Sequence, residues 1–239
     1  MAGTDGVMIG MPFSPAELEA LLLSLRISAV AVVCALPFAL ATAVPLARGS
    51  FPGKVLIDGL VHLPLVLPPV VMGYLLLVTL GTRAPVGAWL LHTFGIRLVF
   101  NWTGAAVAAG IVTFPFQVRA MRLALEGVDR RLEAAARSLG ASRLDVFCSV
   151  TLPLMSPGII VGAITAFAAS LGEFGAIITF VSNVPGETQT LPLAIYSAIQ
   201  TPGNEAAAAR LASLSIMLAL AGLLLSELAG RRSRRLIGR

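Results

Sequence analysis

Charge is what this chain has least of. Asp, Glu, Lys and Arg make up 12% of its 239 residues and hydrophobic residues 57%, whereas a soluble domain carries about 25% charged residues. An ordinary soluble fold is excluded. The two cysteines, Cys34 in a hydrophobic run and Cys148 in a basic segment, form no Cys-x-x-Cys pair, so no disulfide framework is indicated. With only His62 and His92 as histidines and no clustered ligands, a metal site is not expected. No clustered acid-base constellation suggests an integral-membrane enzyme. No Gly-x-x-x-x-Gly-Lys-Ser/Thr phosphate loop occurs, so the chain is not expected to hydrolyse ATP itself. Met1 to Phe13 is Gly-rich, carries Asp5 and has no basic residue, the opposite of the start of a cleaved signal peptide.

What is present is a succession of long apolar runs, each near the roughly 20 residues that cross about 30 Å of hydrocarbon. The reading is an all-α polytopic membrane protein with about five transmembrane helices, over residues 15–46, 56–80, 103–121, 152–181 and 205–229. An N-terminal tail, 1–14, precedes the membrane domain 15–230, and a basic tail, 231–239, follows it. Ser14-Pro15-Ala16-Glu17 reads as a helix start, with Ser14 as cap and Glu17 returning to it. In the second run Pro64, Pro68 and Pro69 each remove a backbone donor, so this helix is expected to be kinked or unwound. Such backbone is tolerated where it is packed in protein or lines a water-filled path. Gly81 to Asn101 reads as a loop with Trp89, and Trp102 follows as a second interface anchor. The run 152–181 exceeds one straight span, and Ser170-Leu-Gly-Glu-Phe-Gly175 is its expected break. Leu191 to Ile199 is too short to span and reads as an interfacial helix.

Net charge +5 would direct a soluble protein toward nucleic acid. Here the basic residues report orientation instead, with lipid as the surrounding partner and no nucleic acid expected. Arg48, Lys54, Arg119, Arg122, Arg130, Arg131, Arg137, Arg143, Arg231, Arg232, Arg234, Arg235 and Arg239 fall on one side of the spans, while Arg83 and Arg97 fall on the other. The positive-inside rule then places the N-terminus outside and the C-terminus in the cytoplasm.

One polar interval, Asp129 to Pro153, interrupts the apolar chain. Leu132, Ala135, Ala136 and Leu139 recur at helical spacing behind an Asp129 cap, and Gly140 supplies a left-handed stop. Ser142 and Asp145 make a capping-box pattern for a second helix, with Leu144, Phe147, Cys148 and Thr151 on one stripe. On pattern alone this is either an Arg-rich hairpin on anionic headgroups or a rigid knob for a cytoplasmic partner.

Ala135-Ala136-Arg137-Ser138-Leu139-Gly140, followed by Val150-Thr-Leu-Pro153, resembles the EAA loop of bacterial ABC importer permeases. The family pattern is Glu-Ala-Ala, three residues, Gly, nine residues, Ile, one residue, Leu-Pro. Ala134 stands at the glutamate position, with Glu133 one residue earlier, and Val150 replaces Ile. His62-Leu-Pro-Leu-Val-Leu-Pro-Pro, Arg119 to Asp129, Ser170 to Gly175 and Phe180 to Glu187 are similar to bacterial molybdate permeases, over nearly the whole chain from Ser14 to Ala229; sulfate and thiosulfate permeases are near relatives.

The resemblance implies the type I ABC importer permease fold. It implies a homodimer of this chain, two cytoplasmic ABC ATPase subunits that carry ATP and Mg, a periplasmic oxyanion-binding protein, and a place in the bacterial inner membrane. The coupling loop 129–153 would meet the ATPase through Glu133, Ala135, Ala136, Gly140, Ala141, Arg143, Leu152 and Pro153. Ser170, Gly172, Glu173, Gly175, Thr179, Ser182 and Asn183 are candidates for the pathway or gate, with close helix packing as their alternative reading. A carboxylate would repel an oxyanion, so Glu173 is expected to bond internally, to Arg26 or to exposed helix amides. His62 reads as a packed polar residue or a proton-linked site.

Overall fold

The computed structural model describes residues 14–236. The tail 1–13 and the C-terminal residues 237–239, Arg239 among them, lie outside the described residues.

Helix α1 (Pro15–Arg48) starts with the expected reciprocal cap: Ser14 Oγ accepts from the Glu17 amide, and the Ser14 amide donates to Glu17. It runs unbroken through Pro37 and Pro45. Helices α2 (Lys54–Val66) and α3 (Pro69–Leu80) form one bent unit, turning by 115°. Leu67 between them is extended, as the residue before a proline must be, and Pro68 and Pro69 cannot donate to a continuing helix. The expected kinked span is thus a broken one.

The stretch read as a loop from Gly81 to Asn101 contains a further helix, α4 (Pro85–Phe94). Pro85 starts it, and Gly95, at φ 67°, ends it in the left-handed region. Both are ordinary local signals, carried by a segment too short to span. Trp89 on α4 packs edge-on against Phe94, with ring centroids 5.4 Å apart.

The remaining helices are α5 (Trp102–Glu126), α6 (Arg130–Ser138), α7 (Arg143–Val146), α8 (Leu152–Leu171), α9 (Gly175–Val181), α10 (Leu191–Gln200) and α11 (Glu205–Leu236). There is no strand among the described residues. Among the described residues four helical stretches are long and apolar enough to cross a membrane, and the α2–α3 pair, counted as one span, makes a fifth.

Helix α5 is the centre, packed against α1 on one side and α8 on the other. Its buried face is built from small residues, among them Gly104, Ala105, Ala108, Ala109 and Gly110. Gly158 and Gly162 on α8 face Ala124, Ala120 and Gln117 of α5, and a Cβ at Gly162 would lie 3.0 Å from that of Ala120. Small residues four apart let membrane helices approach closely, where apolar lining alone gives no drive to associate in lipid. Around this centre α9 packs on α3 and α5, and α11 on α8. Helix α10, expected at the interface, buries Leu191, Leu193 and Ala198 and packs on α1 and α11. The Leu191 amide donates to Ser24 Oγ of α1 at 2.7 Å.

Candidate functional site

The polar interval folds as a helical hairpin whose turn is fully accounted for by backbone bonds. Asp129 accepts from the Arg131 amide at 2.9 Å and so caps α6. At the other end Gly140 has φ +89°, its amide donates to Arg137 O, and the Ala141 amide donates to Ala136 O. These two bonds are the Schellman pair, which satisfies carbonyls that the helix end would otherwise orphan. No atom lies within 4 Å of where a Cβ on Gly140 would sit, so the demand for glycine there is conformational and not steric. Ser142 and Asp145 then cap α7 reciprocally.

Beyond α7 the helix does not stop. Phe147–Thr151 forms a π-helical turn, closed by the Leu152 amide on Phe147 O, and leads directly into α8. One extra residue per turn shifts the angular register. That corrects the expected single stripe of Leu144, Phe147, Cys148 and Thr151: Leu144 and Cys148 are exposed, while Thr151 is buried, with Val146 taking the inner position before the turn. Leu152 is half-buried, and Pro153 is exposed; because the helix is continuous from Arg143 to Leu171, Pro153 removes one donor from its backbone ladder directly after the π-helical turn.

The hairpin is turned inside out relative to a soluble helix pair. Its apolar residues face outward: Leu139 is 89% exposed, Leu144 71% and Leu132 49%. Ala135 and Arg143 are exposed as well, and Ala136 and Ala141 are half-buried. Its acidic residue faces inward. Glu133 Oε1 lies 3.1 Å from Arg48 Nη2 at the end of α1 and accepts from Thr151 Oγ1 at 2.9 Å. Arg48 Nη2 also donates to Val128 O at 3.4 Å. A cavity of about 200 Å³ beside this junction is lined by Arg48, Glu133, Arg137, Arg143, Phe147 and Thr151 among others. Exposed leucines on a short polar hairpin are the kind of apolar feature that a partner surface covers.

The residues read as pathway or gate run from the end of α8 through α9 (Gly175–Val181) into the turn that follows it. Gly175 and Thr179 are packing residues: a Cβ on Gly175 would come 2.7 Å from Pro69 Cβ, and Thr179 Cβ lies 2.6 Å from where a Cβ on Gly73 would sit. Helix α8 ends at Leu171, and the expected break is present as Gly172-Glu173-Phe174 before α9. Glu173 is buried, and its Oε1 accepts from the Ala176 amide at 2.8 Å. Of the two partners weighed for it, the helix amide is the one observed; Arg26 instead stacks over the Trp102 ring, 3.8 Å from its centroid. Ser170 is buried, and its hydroxyl makes no hydrogen bond. Ser182 is exposed at φ 68°, and its carbonyl accepts from Thr188 Oγ1. Asn183 Nδ2 donates to Ser197 Oγ at 2.7 Å on α10.

His62 bonds through Nδ1 to Asp58 O at 2.8 Å and lies 3.3 Å from Asp58 Oδ1, which also pairs with Arg122. A second cavity, of about 640 Å³, opens between α1, α2 and α5 and is lined by Phe38, Leu60, Pro64, Ile111 and Phe114 among others. The hydroxyl of Thr103 on its wall already bonds to Asn101 Oδ1, so this space offers an oxyanion no free donor there. Among the described residues no group of three or more His, Cys, Asp or Glu could hold a metal ion.

The junction at Arg48, Glu133 and Thr151 was not singled out as a unit from the sequence, although charge placement had put Arg48 and the loop on one side. Gly158 and Gly162 do carry a sequence signal for their contact, a Gly-x-x-x-Gly spacing within an apolar run.

Fold and site together define a polytopic, all-helical membrane subunit that projects one polar hairpin for a partner. The chain belongs to the family of binding-protein-dependent transport system inner membrane components, whose model matches residues 35–237. It is 59% identical over 223 residues to the molybdenum transport system permease protein ModB of Escherichia coli K12, covering 93% of this chain and 97% of that one. It is 38% identical over 204 residues to the sulfate transport system permease protein CysT of the same organism, covering 84% and 72%. Among solved structures, an inward-facing form of the MetNI methionine ABC transporter superposes with a TM-score of 0.70 at 17% identity, over 95% of this chain and 100% of that one. That likeness establishes the shared fold.

Proposed function

We propose that this chain is the permease subunit of an ATP-driven importer that moves molybdate into the cytoplasm. The observation that carries the proposal is the identity of 59% with a molybdenum permease across 93% of the chain, against 38% with a sulfate permease. In this reading the chain forms a homodimer in the inner membrane, with its N-terminus outside and its C-terminus cytoplasmic. Two separate ATPase subunits bind ATP and Mg and meet the 129–153 hairpin, and a periplasmic oxyanion-binding protein delivers the ion.

The chemistry of the chain fits a division of labour. Arg119 stands two residues from the end of the span 103–121, and Arg26 and Arg210 lie further inside theirs. Arg26 is engaged with Trp102, and Arg210 forms a 2.8 Å ion pair with Glu17. High-affinity capture of a dianion therefore falls to the binding protein, and the permease supplies a weak passage from which the ion can leave. ATP acts by favouring one of two arrangements of the paired subunits, and can shift that balance only through differential affinity for the two. The outward Leu139 and Leu144 surface, carried by the Ala135, Ala136, Gly140 and Ala141 turn and flanked by Arg143, is where the ATPase docks. Leu152 and Pro153 lead its movement into the membrane.

The test is uptake into vesicles holding the permease, its ATPase and its binding protein. Molybdate entry should require ATP, be competed by tungstate and resist sulfate. Flux without ATP would make the chain a channel, and equal competition by sulfate would overturn the choice of anion.

A further inference from the structure

Helix α6 has no buried residue. Apolar packing therefore does not fix it, and its hold on the bundle is polar. That hold is concentrated on one oxygen: Glu133 Oε1 takes the Arg48 guanidinium from α1 and the Thr151 hydroxyl from the head of α8. Arg48 in turn reaches Val128 O, just past the end of α5. Both members of the ion pair are largely enclosed, with side-chain exposures of 19% and 16%, so solvent screens them less than a surface pair. The end of α1 and the head of α8 thus meet α6 at a single carboxylate, and Arg48 ties in Val128, just past α5.

We propose that Glu133 is a positioning residue and not an ATPase contact: its clasp with Arg48 and Thr151 makes α6 move as one body with α1 and α8, so that each closure of the ATPase is converted into a stroke of the spans. This rests on the reading of the hairpin as the ATPase dock. The docking surface is the outward leucine face, and the carboxylate points the other way. Cutting the clasp therefore leaves docking and hydrolysis intact while movement of α6 no longer drives α1 and α8.

The experiment is the ratio of ATP hydrolysed to ion imported in the reconstituted complex, together with copurification of the ATPase. Glu133→Arg and Arg48→Glu should each retain the ATPase and raise the ratio about tenfold, within the range expected when one of two contacting charges is reversed. Combining them restores a pair of opposite charges, and the ratio should return to within about twofold of the original. Glu133→Gln keeps an acceptor for both partners and should stay within that same margin. Thr151→Val, which removes one bond without a charge change, should raise the ratio about threefold.

Loss of the ATPase from Glu133→Arg would overturn the proposal by making Glu133 a contact. A normal ratio in Thr151→Val, or no recovery in the charge swap, would overturn it equally. Absence of ATP-dependent uptake by the unaltered complex would instead fail the underlying reading, and the proposal with it.

Discussion

Helices α5 and α2 lie side by side yet are held by opposite means. The first is buried by small residues along most of its length, meeting α1 on one face and Gly158 and Gly162 of α8 on the other. The second has no buried residue at all, and Val55, Leu56, Leu60 and Val66 on it are 67–86% exposed. It leans on α5 and is pinned near one end by Arg122, which bridges Asp58 at 2.9 Å and Glu126 at 2.9 Å. The contrast separates a part of the bundle that must move as one piece from a limb that lipid or a second subunit has to cover. Backbone proximity fixes the first. Lipid does not drive apolar helices together, so side-chain polarity, and the 115° break after it, place the second.

The sharpest way to break this contrast is to fill the close approach. Gly158→Leu puts a large side chain where a single Cβ would already collide with Ala124 and with Ala120 O. Overpacking costs about 1–3 kcal/mol, and more where backbone blocks relaxation. Thermal unfolding of the detergent-solubilised chain should show the largest loss of any variant considered. The same change at Gly59 on α2, where no atom lies within 4 Å of a Cβ, should leave the midpoint nearly unmoved. Equal losses at the two positions would erase the distinction between core and limb.

A smaller effect is expected outside the spans. Gly140→Leu meets no obstacle but must hold φ near +89°, at a cost of roughly 1–2 kcal/mol for a side-chain-bearing residue. Because α6 is not packed into the bundle, that strain should leave global unfolding almost unchanged and fall on uptake driven by the ATPase. Unimpaired transport would remove the turn from the coupling path.

Much of this was readable in advance, and the exceptions share a cause. Ser14 with Glu17, Gly140, Ser142 with Asp145 and the Pro68–Pro69 break all declare themselves within a few residues, because each is a local backbone requirement. The clasp does not: Arg48 and Glu133 are 85 positions apart, and only the folded chain brings the end of α1 to the hairpin. The π-helical turn at Phe147–Thr151 likewise leaves no periodic mark, yet it moves Leu144 outward and Thr151 inward. Glu173 falls between these cases. Its amide partner, Ala176, is only three residues away, whereas the stacking of Arg26 on Trp102 joins residues far apart in the chain.

That local role gives a further comparison within the core. Glu173→Ala leaves the α9 start without its side-chain acceptor, at a cost of about 1 kcal/mol. Glu173→Gln keeps an acceptor oxygen and should transport normally. If Gln were as damaging as Ala, the charge itself would be required, and α9 would be more than a capped packing element.

The smallest effect belongs to the limb. Asp58 and Arg122 are 35% and 28% exposed at their side chains, so solvent weakens their attraction, and pairs of this kind contribute about 0.2–1 kcal/mol. Asp58→Asn should therefore barely alter thermal unfolding. Its consequence should appear in position: with Arg122 left to Glu126, the start of α2 is free to swing from α5. Exposed residues such as Val55 can carry a cysteine, and its rate of modification by a membrane-impermeant thiol reagent reads how far the limb has moved. Cys148 is exposed and Cys34 is too, so both are first replaced by serine. A faster rate in the assembled importer, with an unchanged melting midpoint, is the signature of a limb latched by charge; a lowered midpoint at an unchanged rate would mean that α2 belongs energetically to the core after all.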